Sequence, residues 1–228
     1  MNQFSRTELL LGPEGMKKIK DSKILIFGVG GVGGYVVEAL SRCGVGHLDL
    51  VDSDEVALSN INRQIIATLD TLDQPKVEVF KSRIKTISPD TVVGAYKVFY
   101  TEGNNGFDFS QYDYVVDAID TVSAKLDIIV KCIEAGTPII SAMGCGNKLD
   151  PTKLVVTDIY KTEMDPLAKV MRKELRARGV KKLKVVASTE KPIKPAPDQG
   201  RVPGSTSFVP SAAGLIIASQ VIQDIVNK

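Results

Sequence analysis

Tryptophan is absent from this 228-residue chain, and cysteine occurs only three times, at Cys43, Cys132 and Cys145. No two cysteines form a C-x-x-C pair, so a cysteine-based zinc site is not expected. Such usage fits a reducing, cytoplasmic setting. No uninterrupted apolar run approaches the length of a membrane span, so no membrane partner is expected. A secretory signal pattern is also missing: Asn2 to Arg6 is polar and no long apolar core follows. There is no internal repeat and no low-complexity tract. Net charge is close to balanced at +2, but its distribution is not. Residues 1–150 carry 15 basic and 20 acidic side chains, and residues 151–228 carry 14 basic and 7 acidic ones. An excess of cations confined to one part of a chain suits either a polyanion partner or a solvated surface.

The stretch from Ile24 to Gly34 organises the rest. Its apolar start, Ile24 to Phe27, reads as a buried parallel strand. Gly28, Gly30 and Gly33 then follow the G-x-G-x-x-G spacing, with Gly31 between them. Glycine permits a sharp turn and a close approach to phosphate, and the helix that follows turns its free N–H groups toward an anion. Val36, Val37, Leu40 and Cys43 give that helix its apolar face. Leu48 to Asp52 reads as a second strand ending in an acid. Asp52 lies 19 residues past Gly33, where a nucleotide fold places the carboxylate for ribose hydroxyls.

Strands and helices continue to alternate. A helix is expected over Pro13 to Lys20, and another begins at Gln74-Pro75-Lys76 with Val77, Phe80, Ile84 and Ile87 inward. Val92 to Val98 and Asp113 to Asp120 read as strands. Leu126, Ile129, Val130 and Ile133 mark the inner face of the next helix, and Thr137 to Ala142 a further strand. The rhythm implies a doubly wound, mostly parallel α/β sheet of Rossmann-like type. Residues 1–150 form the expected nucleotide-binding core, and residues 151–228 an α/β extension completing the same domain.

In that extension, Leu154 to Tyr160 reads as a strand and Asp165 to Arg178 as a two-faced helix. Leu167, Val170, Met171 and Leu175 make the apolar face. Lys169, Arg172, Lys173 and Arg176 make a basic stripe on the opposite side, and Lys181 and Lys182 continue it. Lys191 to Pro203 contains four prolines and reads as a loop. Ser211 to Val226 is a closing helix with Ala218, Val221, Ile222 and Ile225 inward.

The glycine loop and Asp52 alone would also suit NAD. Arg63, Lys76 and Asp120 shift the reading, because they fall on three successive segments near the carboxyl ends of strands, where ligands sit in such sheets. A guanidinium, an ammonium and a carboxylate together fit a triphosphate and its magnesium ion. Each alone also suits a plainer role: a surface ion pair, a solvated lysine, a helix N-cap.

The order of these motifs resembles the ubiquitin-activating-enzyme superfamily, in its bacterial branch that adenylates carboxylates. The pieces that carry the resemblance are Gly28-Val-Gly-Gly-Val-Gly33, Asp52-Ser-Asp54, Ser59-Asn-Ile-Asn-Arg-Gln64, Gln74-Pro-Lys76 and Asp117-Ala-Ile-Asp120. The resemblance implies ATP bound by the glycine loop, Asp52, Asp54, Ser59, Asn60, Asn62 and Gln64. It assigns Arg63, Lys76 and Asp120 to the triphosphate, with Asp120 on Mg2+. It also implies a homodimer in which Arg6 reaches the partner's ATP, and leaves room for a monovalent cation (Na+ or K+) and for a sulfur-relay protein as partner.

Val155-Val-Thr-Asp-Ile159, Lys161-Thr-Glu-Met-Asp-Pro-Leu167 and Ser188-Thr-Glu190 resemble the branch that acts on a threonylcarbamoyl group on an adenosine beside the tRNA anticodon. That branch adenylates the carboxylate, and an intramolecular attack closes a ring and expels AMP. The basic run Lys169, Arg172, Lys173, Arg176, Lys181 and Lys182 would then meet tRNA phosphates. Activation of a ubiquitin-like sulfur carrier is the alternative within the superfamily; a binding module or an NAD oxidoreductase are the alternatives outside it. Some relatives carry a cysteine in the region of Gly204 to Phe208, and this chain has none there. A thioester route at that place is therefore not expected.

Overall fold

The computed structural model describes residues 2–103, 106–194 and 202–227. Seven strands form one sheet in the order β3-β2-β1-β4-β5-β7-β6. These are β1 (Lys23–Phe27), β2 (His47–Val51), β3 (Val92–Tyr96), β4 (Tyr114–Asp117), β5 (Ile139–Ala142), β6 (Leu154–Asp158) and β7 (Lys184–Ser188). All neighbours are parallel except β6, which runs antiparallel to β7 at the sheet edge. Strand order reverses between β1 and β4, and a doubly wound sheet opens its ligand crevice at that switch point. The strands after residue 150 join the same sheet as those before it.

Six helices cover the sheet: α1 (Ser5–Asp21), α2 (Gly33–Cys43), α3 (Lys76–Ile87), α4 (Val122–Ala135), α5 (Pro166–Ala177) and α6 (Val209–Val226). Side chains alternate across a strand, so each face of β1 serves a different layer. Ile24 and Ile26 pack with α2, α3 and α6, whereas Leu25 and Phe27 pack with Ala124, Ile128 and Cys132 of α4. Helices α2 and α6 approach closely at Gly214, where a Cβ would lie 2.3 Å from the Val32 carbonyl oxygen. Among the described residues α6 alone is long and apolar enough to cross a membrane, but its Ile217, Val221 and Ile225 are buried core residues. Sequence periodicity does not separate a buried core helix from a spanning one.

Several expected boundaries move. Helix α1 starts at Ser5, well before Pro13, and bends at Gly12, whose φ of 69° breaks the regular spiral. Strand β4 stops at Asp117, leaving Asp120 in the loop beyond it. Ile133 is exposed on α4; Ile128 and Cys132 take the inner positions instead. Val170 likewise faces outward on α5, and the small Ala168 fills the inner position. Periodicity identified these helices, but several apolar side chains on each competed for one buried face. Residues 195–201 of the expected Lys191–Pro203 loop lie outside the described residues.

Candidate active site

The carboxyl ends of β1, β2, β4 and β5 open onto one cavity of about 570 Å³. Its lining includes Gly28, Gly30 and Gly31 of the loop between β1 and α2. Glycine is required here on two counts. Gly28 has φ 81°, and a Cβ on it would sit 2.7 Å from the Ala118 carbonyl oxygen. A Cβ on Gly33 would fall 1.8 Å from the Gly28 carbonyl oxygen, so the first turn of α2 seats directly on the strand end.

Asp52 anchors this loop from the neighbouring strand. Its Oδ2 accepts from the Val29 N–H at 2.8 Å, and its Oδ1 from the Asp54 N–H at 2.9 Å. Lys76, 4 % exposed at the start of α3, donates to Asp54 Oδ2 at 2.8 Å and lines the cavity. That hydrogen bond is the main cause holding the Asp54 carboxyl below its ordinary range, against a smaller opposing effect of burial. The half-buried Arg63 lines the cavity and donates from Nη1 to the Ser59 carbonyl and to Asn62 Oδ1, both at 2.9 Å. Asp120 lines it from the β4–α4 loop, with its side chain exposed.

Most of the expected nucleotide residues therefore converge: Gly28, Gly30, Gly31, Asp52, Asp54, Asn60, Arg63, Gln64, Lys76 and Asp120 all line this one cavity. Gly33 supports it from below. Ser59 and Asn62 do not line it; they hold Arg63, and Asn62 also donates to the Ser205 carbonyl at 3.1 Å. The resemblance implies direct contact for both, but the turn presents Asn60, Arg63 and Gln64 to the cavity and leaves Ser59 and Asn62 behind Arg63. Asn60 Oδ1 accepts from the Ala57 N–H at 3.1 Å, a cap on the same turn. Buried Gln64 stands apart, since its Oε1 has no hydrogen-bond partner among the described residues.

Arg6 lies exposed on α1, outside the cavity lining of its own chain. On α5, Lys169, Lys173 and Arg176 are exposed, as are Lys181 and Lys182 beyond it. Arg172 departs from the expected stripe. Its Nη1 turns in to Thr162, donating to the carbonyl at 2.9 Å and to Oγ1 at 2.5 Å. The Arg176 guanidinium covers the Tyr160 ring at 5.1 Å. Both arginines thus brace the turn before α5, and Arg172 is already committed to it.

The far half of the cavity was not legible in the motifs. It is lined by Ala142 to Gly146, Leu167 and Val202 to Ser205. Only tertiary contacts bring these three segments together, so no local spacing signals them. Cys145 sits there as a thiol, since burial foremost raises its pKa to about 11, the pull of Lys148 and Lys125 notwithstanding.

A magnesium ion fits the near half as a nucleotide-borne cation. Among the described residues no cluster of three or more His, Cys, Asp or Glu side chains can cage a metal. Of the three carboxylates that line the cavity, Asp52 accepts main-chain N–H groups and Asp54 the Lys76 ammonium, while Asp120 is exposed to it; Mg2+ commonly binds through one or two carboxylates together with substrate phosphates.

Known proteins share this fold over nearly the whole chain. The chain is 44 % identical to a tRNA threonylcarbamoyladenosine dehydratase of Bacillus subtilis, over all of this chain and 96 % of that one. A crystal structure of the Escherichia coli tRNA N6-threonylcarbamoyladenosine dehydratase TcdA in complex with AMP superposes with a TM-score of 0.91. It is 34 % identical and covers 99 % of this chain and 94 % of that one. The same E. coli enzyme in complex with ATP gives 0.89 at 33 % identity, with the same shares covered. The ThiF family model matches residues 4–228, and this chain belongs to the ThiF family, of adenylating enzymes.

Proposed function

We propose that the protein is an ATP-dependent dehydratase that closes a ring on threonylcarbamoyladenosine in tRNA. The observation that carries this reading is the continuity of the cavity. It runs from the glycine loop past Asp120 to the Gly144–Gly146 turn, next to the first turn of α5 and its exposed lysines. A nucleotide thus fits in one half and a second substrate in the other. Similarity to the B. subtilis dehydratase over the full chain, rather than over the nucleotide half alone, supports this reading above sulfur-carrier activation.

In the proposed reaction a carboxylate oxygen of the threonylcarbamoyl group attacks the α-phosphorus of ATP, and pyrophosphate leaves with the bonding electron pair. The tethered ureido nitrogen then attacks the acyl carbon, loses its proton, and AMP departs carrying the former carboxylate oxygen. Tethering makes this second step intramolecular, with a high effective molarity. Arg63 and Lys76 balance phosphate charge, Asp52 receives ribose hydroxyls, and the glycine-loop N–H groups cradle phosphate. Asp120 would hold a Mg2+ ion, which would supply further charge neutralisation on the phosphates. Lys169, Lys173, Lys181 and Lys182 meet the tRNA backbone in the cytoplasm. The protein acts as a homodimer in this reading.

Nucleoside mass analysis of tRNA after incubation with protein and ATP tests the proposal. Loss of one water from threonylcarbamoyladenosine, with AMP released, is the expected result. Unchanged nucleoside, together with adenylation of a carrier-protein C-terminus, would replace it.

A further inference from the structure

Two charged side chains behind the far half of the cavity take no part in the chemistry above, yet both are almost completely buried. Asp165 is 3 % exposed and Lys148 2 %. Together they hold both main-chain groups of one residue, Gly144. The Gly144 N–H donates to Asp165 Oδ2 at 2.8 Å, and Lys148 Nζ donates to the Gly144 carbonyl at 2.8 Å. The two charges face each other at 3.7 Å. Asp165 also caps α5, its Oδ1 accepting from the Ala168 N–H at 3.1 Å. A Cβ on Gly144 would lie 3.1 Å from that same carboxylate.

The next residues are fixed from the other side. Asn147, at φ 58°, donates its N–H to the Gly204 carbonyl at 2.8 Å and accepts the Gly204 N–H on Oδ1 at 2.7 Å. Gly146 packs so closely on Pro203 that a Cβ would sit 2.8 Å from the proline Cβ. One strand over the device recurs. Fully buried Lys125 donates to the Ala142 carbonyl at 2.9 Å and the Ile119 carbonyl at 3.1 Å, and pairs with buried Asp117 at 2.9 Å. Each buried ion costs several kcal/mol of desolvation, so an apolar pair would hold a loop about as stably. What the charges add is position. Between these grips, the N–H groups of Cys145 and Gly146 have no partner among the described residues, while both residues line the cavity.

We propose that the Gly144–Gly146 turn is the acyl subsite: the Cys145 and Gly146 N–H groups receive the carboxylate oxygen of the second substrate, and Asp165 and Lys148 are the residues that position them. Main-chain donors fixed in advance are suited to an oxygen that gains negative charge as the nucleophile attacks. This assignment rests on the function proposed above and deepens it by placing the acyl group.

Asp165→Asn and Lys148→Met test the subsite in the full-length protein. Asn keeps the Oδ1 cap on Ala168 but offers no second acceptor to Gly144. Ring formation should fall in kcat by about tenfold or more, with ATP affinity by calorimetry held within about twofold. A residue that merely stabilised the fold would lose both together. Should either variant fail to fold, Gly146→Ala, which presses on Pro203 at the cavity wall, is expected to give the same split. Turnover at the wild-type rate, or equal losses in ATP affinity and kcat, would overturn the subsite. Failure of the wild-type protein to convert the nucleoside at all would instead overturn the function on which it rests.

Discussion

Lys76 and Asp120 show what a single position contributes here. Lys76 is buried at the cavity wall with its ammonium on Asp54, and Asp120 reaches the cavity from a loop. Removing one transition-state charge partner typically costs about 2.7–4 kcal/mol. Lys76→Ala and Asp120→Ala should therefore each lower turnover by well over tenfold, measured as AMP release from modified tRNA. Both residues were readable from sequence because each stands just beyond a strand end or at a helix start, inside a fixed motif. Asp165, Lys148 and Lys125 were not, since each joins a main-chain group to a charged partner eight or more residues away, and neither carries a local sequence signal. Cys145 is a related case. A cysteine after a strand and between two glycines is a position that suits a nucleophile, but burial raises its pKa to about 11. At neutral pH nearly all of it is the unreactive thiol, because only the thiolate attacks. Its alkylation rate should climb as pH rises toward that value, and acid-quenched protein caught during turnover should show no mass increase.

Helices were legible as elements, while their outward and inward residues were less so. Helix α5 is the instructive one. Four basic residues at helical spacing implied one uniform stripe, yet Arg172 is spent on Thr162, an interaction that spacing cannot foresee. The stripe divides accordingly. Lys169→Glu with Lys173→Glu should weaken tRNA binding and make its salt dependence shallower by about one to two units of slope, leaving ATP affinity unchanged. Filter binding across a salt series reads this directly, and an unchanged slope would reduce the stripe to a solvated face. A second element-scale device joins α2 to α3. Glu38, 7 % exposed, receives Arg83 at 2.6 and 2.9 Å and Arg42 at 2.8 Å. Burial alone would raise its pKa, but the hydrogen bonds from Arg83 and then Arg42 outweigh it and hold the carboxyl below its ordinary value. A depressed carboxylate stabilises the fold above its unfolded pKa and loses that contribution as pH falls through the folded one. Glu38→Gln should cost about 1–3 kcal/mol at neutral pH. The gap in melting temperature between variant and wild type should narrow on acidification.

At the scale of the whole molecule, one chain gathers the nucleotide motifs on one cavity and leaves several large apolar side chains uncovered. Leu9 and Leu10 of α1 are 85 % and 87 % exposed, and Leu58 and Leu69 are 67 % and 73 % exposed. Monomeric proteins expose single leucines freely, but adjacent ones on a short half-helix suit an interface. Sequence periodicity missed this half of α1 for the same reason: the Leu9–Leu10 pair faces away from the core, so no buried stripe marked it. Arg6 lies on the same half-helix and outside its own cavity lining, which fits a side chain that serves the partner's ATP. The test uses two inactive proteins. Arg6→Ala leaves its own cavity intact but has no arginine to lend; Lys76→Ala has a damaged cavity but a normal Arg6. Each homodimer should be inactive. In a mixed dimer, one of the two sites combines an intact Lys76 with the arginine of the other subunit. With random exchange in an equal mixture about half the dimers are mixed and each holds one complete site, so activity should recover to about a quarter of wild type, as expected for a closed two-fold interface. Were Arg6 to act within its own chain, the mixed dimer would hold no complete site, and activity would stay at the level of the parents despite subunit exchange demonstrated by native mass spectrometry.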